Sequence, residues 1–131
     1  MELNHITGLI VQSAIKVHRT LGPGLLESAY RACLRHELVK LGLHVDSEVV
    51  VPLVYDGVAL EVGYRMDLLV EQTVIVECKA IKKLSPVDEA QLLSHLILAN
   101  KPGGLLINFH VYRLIDGIKR MLNGTPPQET G

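Results

Sequence analysis

Two short apolar runs, Leu68-Leu69-Val70 and Val74-Ile75-Val76, stand three residues apart, and each has charge at its far end. Asp67 precedes the first, and Glu77-Cys78-Lys79 follows the second. Their length and β-branching predict two adjacent strands of a buried sheet. Side chains two apart in a strand share a face, so Glu77 and Lys79 point the same way. Whether Asp67 joins them depends on the turn. A two-residue turn at Glu71-Gln72 sets Asp67 opposite Val76 and on the other face from Glu77. A three-residue turn pairs Val70 with Val74 and brings Asp67 opposite Glu77. Only the odd turn sorts the side chains by polarity. It gathers Met66, Leu68, Val70, Val74, Val76, Cys78 and Ala80 on one face. Arg65, Asp67, Leu69, Ile75, Glu77 and Lys79 share the other. The odd turn is therefore the expectation.

Two carboxylates and an ammonium among apolar neighbours are costly unless they pair or bind a metal. A hard divalent cation held by carboxylate oxygens, beside a lysine, suits phosphodiester hydrolysis. The plain alternative is a solvated strand face with a Glu–Lys ion pair, and Glu-x-Lys by itself is too common to decide. Elsewhere in the chain, Gly24, Glu27 and Tyr30 are spaced by three, along one side of a predicted helix. Gly24 would let the backbone approach a neighbour, and Glu27 would project at the sheet. An ordinary first-turn glutamate, favoured by the helix dipole, is the simpler reading of Glu27 alone. A later helix is apolar nearly all round, yet Gln91, Ser94 and His95 make one polar stripe on it. Buried polar groups need partners, and the acidic sheet face would supply them. A partly exposed helix edge is the competing reading, and a hydrogen-bonded core or rim role suits His95 better than metal ligation.

The rest of the chain reads as one domain over residues 1–123, with a flexible tail over 124–131. Ile6, Ile10, Ala14, Val17 and Leu21 predict a first helix, broken by Gly22-Pro23-Gly24. A second begins near Pro23 and runs to about Leu41. Val49 to Tyr55 is a strand interrupted by Pro52, and Asp56-Gly57 is a hairpin turn into the strand that ends at Val70. Ser85, Pro86 and Asp88 start a third helix as N-cap, first residue and capping box. It runs to about Asn100, and Leu105 to Phe109 forms a buried strand. A last short element lies over residues 117–122. With 131 residues and a net charge of -1, the chain holds one core and no overall field for nucleic acid. Cys33 and Cys78 fit neither a disulfide framework nor a zinc spacing. No signal peptide or bilayer-length apolar run is visible, so a soluble cytoplasmic protein is expected.

Five segments in order resemble the GxxExxY family of the PD-(D/E)XK nuclease superfamily. They are Gly24-Leu25-Leu26-Glu27-Ser28-Ala29-Tyr30, Arg65-Met66-Asp67-Leu68-Leu69-Val70 and Val76-Glu77-Cys78-Lys79-Ala80. Glu89-Ala90-Gln91-Leu92-Leu93 and Gly104-Leu105-Leu106-Ile107-Asn108-Phe109 complete the set. The resemblance implies a restriction-endonuclease-like α/β fold. Its α-β-β-β-α-β core has a mixed central sheet flanked by helices, here with an extra N-terminal helix. It implies Asp67, Glu77 and Lys79 as catalytic, joined by Glu27 and by Gln91. His95 stands where a tyrosine often follows that glutamine, and Met66 stands where a proline often precedes the aspartate.

The expectation is a nuclease that hydrolyses phosphodiester bonds with Mg²⁺ or Mn²⁺, with DNA favoured over RNA. Asp67, Glu77, the Cys78 carbonyl and Glu27 are the candidate metal ligands. Lys16, Arg19, Arg31, Arg35, Lys82 and Lys83 are candidates to border the cleft. A homodimer or larger assembly would extend its reach. The rival expectation is a binding module on the same core without turnover, which the near-neutral charge and mean hydropathy of +0.27 favour somewhat.

Overall fold

Left-handed backbone at Glu71 (φ 53°) and Gln72 (φ 54°) reverses the chain between the two central strands. Thr73 closes the turn, its N–H donating to the Val70 carbonyl (3.0 Å) and its hydroxyl to the Glu71 carbonyl (2.7 Å). Val70 therefore faces Val74, and Leu68 faces Val76, as the odd turn requires. The computed structural model describes residues 1–124; residues 125–131, most of the expected tail, lie outside them.

The order of elements is α1 (Leu3–Leu21), α2 (Glu27–Lys40), β1 (Val45–Tyr55), β2 (Val58–Val70), β3 (Val74–Lys79), α3 (Pro86–Ala99) and β4 (Gly103–Asn108). A 3₁₀ turn (Leu114–Gly117) and β5 (Ile118–Leu122) follow. The five strands lie in the order β1-β2-β3-β4-β5. Only β3 and β4 are parallel, and α3 is the crossover that such a pair needs. This is the expected mixed sheet and restriction-endonuclease-like fold, with α1 as the additional helix.

The sheet separates two apolar layers. On one side Leu68, Val70, Val74, Val76 and Cys78 pack under Ile6, Ile10 and Ala14 of α1 and Leu34 and Leu38 of α2. On the other, Leu69, Ile75 and Leu106 pack under Leu92, Leu93 and Leu96 of α3. Met66 departs from the expected sorting, because it belongs to the α3 layer. The alternation breaks at Asp67 in β2 and also in β1, where Val45 and Val51 fall in opposite layers. The β1–β2 register runs from Ser47–Leu68 to Val49–Met66, which sets Glu48 opposite Asp67, and Glu48 has φ 52°. A left-handed residue rotates the strand, so side chains change face there without a slip in register.

The entry to α2 also differs from expectation. The helix starts at Glu27, and residues 22–26 form a loop in which Gly22 has φ 73°. Gly24 is thus outside the helix and meets only open space, so close approach is not its role. Tyr30 holds this loop instead. Its buried ring stacks on Phe109 at 4.4 Å. Its hydroxyl donates to the Gly22 carbonyl and accepts from the Leu25 N–H (3.0 Å). α3 starts as read: Ser85 caps it, Pro86 opens it, and Asp88 completes the capping box. Pro52 sits on the edge strand at a shift in the β1–β2 register, where its missing N–H costs least. No helix among the described residues is long and apolar enough to cross a membrane.

Candidate active site

The last paired step of β2 with β3 is Leu68–Val76. Beyond it a side chain takes over from the backbone. Asp67 Oδ2 accepts the Cys78 N–H at 2.7 Å, so the carboxylate is pinned to β3 at the point where the strands part. Two residues further on, Glu27 Oε1 accepts the Ala80 N–H at 3.3 Å. Alternate N–H groups of a strand point to the same edge, so both carboxylates dock along one margin of β3. The Tyr30-stapled loop sets where Glu27 begins its helix. Glu27 therefore reaches the site from α2, as expected.

Glu77 is buried from the α3 side, and its Oε1 lies 3.1 Å from His95 Nδ1. Burial pushes its carboxyl above the usual carboxylate range, and the charge of Asp67 adds to that; His95 and Lys79 oppose it. Lys79 is half-buried at the end of β3, opposite Asn108 of β4. Asn108 is buried and clamps the strand exit: its side chain accepts from Ile81 N–H (3.1 Å) and donates to the Ile81 carbonyl (2.8 Å). The Cys78 thiol is driven well up by burial and by the carboxylates around it, so it stays a neutral core group. Its backbone serves the site, through the N–H held by Asp67.

Gln91 is exposed one turn before His95, so the expected polar stripe does not face the sheet as a unit. Four residues overshoot a helical turn by about 40°, which carries Gln91 to the rim while His95 stays inside. Two more participants are Arg31, expected only as one of six residues bordering the cleft, and Glu48, which the sequence did not single out. Arg31 lies 3.5 Å from Asp67 Oδ1 and 3.0 Å from Glu48 Oε1, bridging both carboxylates. Its spacing of four from Glu27 is the one sequence signal for it. Glu48 carries no such signal, because its position opposite Asp67 depends on a register of distant segments. An open hollow of about 480 Å³ lies alongside, lined by Leu25, Leu26, Glu27, Ser28, Arg31 and Ala80.

Among the described residues, no three His, Cys, Asp or Glu side chains stand close enough together to hold a metal ion. The donor set nevertheless fits a hard dication in kind. Asp67 and Glu27 each hold one oxygen on a backbone N–H, and the charge of Asp67 raises Glu77, a repulsion that a cation would relieve.

A restriction-endonuclease-like sheet with an aspartate at the β2–β3 fork and Glu-x-Lys beside it defines a nuclease-type scaffold. Residues 4–121 match the family model of the PD-(D/E)XK nuclease superfamily, and the chain belongs to that superfamily. Its members are mostly nucleases that use divalent metals such as Mg²⁺ or Mn²⁺. Nothing matches among curated proteins or among solved structures.

Proposed function

We propose that the chain is a metal-dependent nuclease of the GxxExxY type, a single domain over residues 1–123 that hydrolyses phosphodiester bonds in DNA rather than RNA. The observation that carries this reading is the Asp67 carboxylate seated at 2.7 Å on the N–H of Cys78, the residue after the buried Glu77, at the point where β2 and β3 part.

Asp67 and Glu77 would hold Mg²⁺ or Mn²⁺ through oxygen, with the Cys78 carbonyl and Glu27 as further ligands. When bound, such an ion lowers the pKa of a coordinated water and neutralises charge on the phosphate. Lys79 supplies a compact positive charge that orients the water or meets a phosphate oxygen. Arg31 anchors Asp67 until substrate arrives. Gln91, on the rim, contacts water or the nucleic-acid backbone. A second copy or a partner would supply the reach for recognition.

A catalytically silent binding module on the same core remains the second reading. It draws on the pairing of Arg31 with Asp67 and on the lack of a three-ligand cluster among the described residues. Cleavage of single-stranded, duplex and branched substrates with Mg²⁺ or Mn²⁺ separates the two. Asp67→Ala and Lys79→Ala should each slow cleavage by about a hundredfold or more. Unchanged cleavage in both variants would show these assignments to be wrong. Mn²⁺ calorimetry that cannot tell wild type from Asp67→Ala would favour the module.

A further inference from the structure

We propose that His95 is a positioning residue for Glu77, and that it acts through Nδ1 alone. This rests on the nuclease reading, in which Glu77 is a metal ligand. His95 is 3% exposed, and its Nδ1 lies 3.1 Å from Glu77 Oε1. Its other ring nitrogen, Nε2, is buried and has no hydrogen-bond partner among the described residues. The Tyr64 ring stands 5.1 Å away, tilted by 49°, and supplies no partner to that nitrogen.

As a metal ligand Glu77 is ionised, and an ionised carboxylate accepts and does not donate, so in that state the proton between them belongs on Nδ1. Nε2 is then a bare lone pair, sealed from solvent and without a partner among the described residues. An unmet buried acceptor is unfavourable, and a leucine would fill this place in the helix without it. The chain nevertheless keeps an imidazole there. What the imidazole supplies is one N–H aimed at Oε1. That bond fixes the Glu77 rotamer and leaves Oε2 free for the cation. His95 is not itself a ligand, because Nε2 is sealed from solvent and belongs to no group of three metal-ligating side chains among the described residues. The arrangement is the outer-shell hydrogen bond that orients ligating groups in metal sites, and loss of such a bond typically weakens metal binding tenfold to a hundredfold.

Two substitutions separate positioning from packing. Asparagine places its side-chain nitrogen where Nδ1 stands and has nothing at Nε2. Leucine fills the volume and donates nothing. We expect the full chain with His95→Asn to bind Mn²⁺ within about threefold of wild type, and His95→Leu to bind at least about tenfold more weakly. Packing predicts the reverse order, and that order would overturn the proposal. Asp67→Ala is the control for the reading beneath it. If wild type binds Mn²⁺ better than Asp67→Ala while His95→Leu matches wild type, the positioning role fails and the nuclease reading stands. If wild type and Asp67→Ala bind alike, both fail. A readout without metal is the ¹⁵N spectrum of the His95 ring, taken at a pH high enough to ionise Glu77 and expected to show a protonated Nδ1 and a bare Nε2. The opposite tautomer would refute the role.

Discussion

Glu77 stands among opposing influences. Burial and the charge of Asp67 favour its neutral form, while His95 and Lys79 favour the ionised one, and the net shift is upward. This sets the sign of a pH effect. Below the ordinary carboxylate range, Glu77 is protonated in both folded and unfolded chains and contributes nothing to the pH dependence. As pH rises through that range, the unfolded chain releases its proton first and the folded chain keeps its own. The folded state then binds more protons, so stability falls as pH rises towards the raised value. Denaturant midpoints of wild type and Glu77→Gln, compared from about pH 4 to pH 7, should show the wild type losing ground as pH rises. A difference that stays constant with pH would refute the burial argument. On the proposed nuclease reading, the wild-type chain should gain stability when Mn²⁺ is added and Glu77→Gln should gain less, because a bound cation would take the place of the proton.

At the scale of elements, the candidate site takes its shape from several segments that end near one another. β2 and β3 part after Leu68–Val76, α2 begins at Glu27, and α3 turns His95 inward. The loop before α2 is the least regular of these parts and hangs on one hydroxyl. Tyr30→Phe keeps the stack on Phe109 and removes only the bonds to Gly22 and Leu25. We expect a cost of about 1–3 kcal/mol by urea unfolding. An unchanged midpoint would mean that the ring alone sets the loop. The element boundaries that the sequence predicted well are those with local chemistry. Ser85 and Asp88 form the α3 cap from residues three apart, and Asp56 (φ 53°) with Gly57 (φ 72°) forms the β1–β2 turn. The start of α2 was misplaced because Pro23 suits a first helical turn, whereas the loop conformation is held by Tyr30, seven residues later.

For the whole molecule, a net charge of -1 leaves phosphate binding to local groups. Two of the six basic residues expected at the cleft are already paired: Lys16 with Glu37 at 2.9 Å, and Arg31 with Glu48 and, within the candidate site, Asp67. Arg19, Arg35, Lys82 and Lys83 are exposed. A surface with so few free cations should show a shallow salt dependence. We expect log K for duplex DNA to fall against log salt with a slope no steeper than about −4. A slope near −8 would require a second copy or a partner to bring more charge.

The polarity pattern of residues 66–80 was enough by itself to choose the odd turn, because a one-residue slip would bury charge on both faces. It did not reach Asp67 and Glu77: the paired register ends at Leu68–Val76, Asp67 is met from α2 by Arg31, and Glu77 is met from α3 by His95. Lys79 was placed by its spacing of two from Glu77, whereas Glu27 by its spacing alone read as an ordinary first-turn glutamate and was singled out through the family resemblance. The pairing of Arg31 with Asp67, the place of Glu48 and the separation of a buried His95 from an exposed Gln91 were not legible. They depend on how α2, β1 and α3 pack on the finished sheet, and such contacts link residues too far apart in the chain for any local pattern to encode. Tertiary packing also moved Met66 to the other face and Gln91 to the rim, because strand alternation holds only while both strands keep extended backbone and helix faces diverge with each turn.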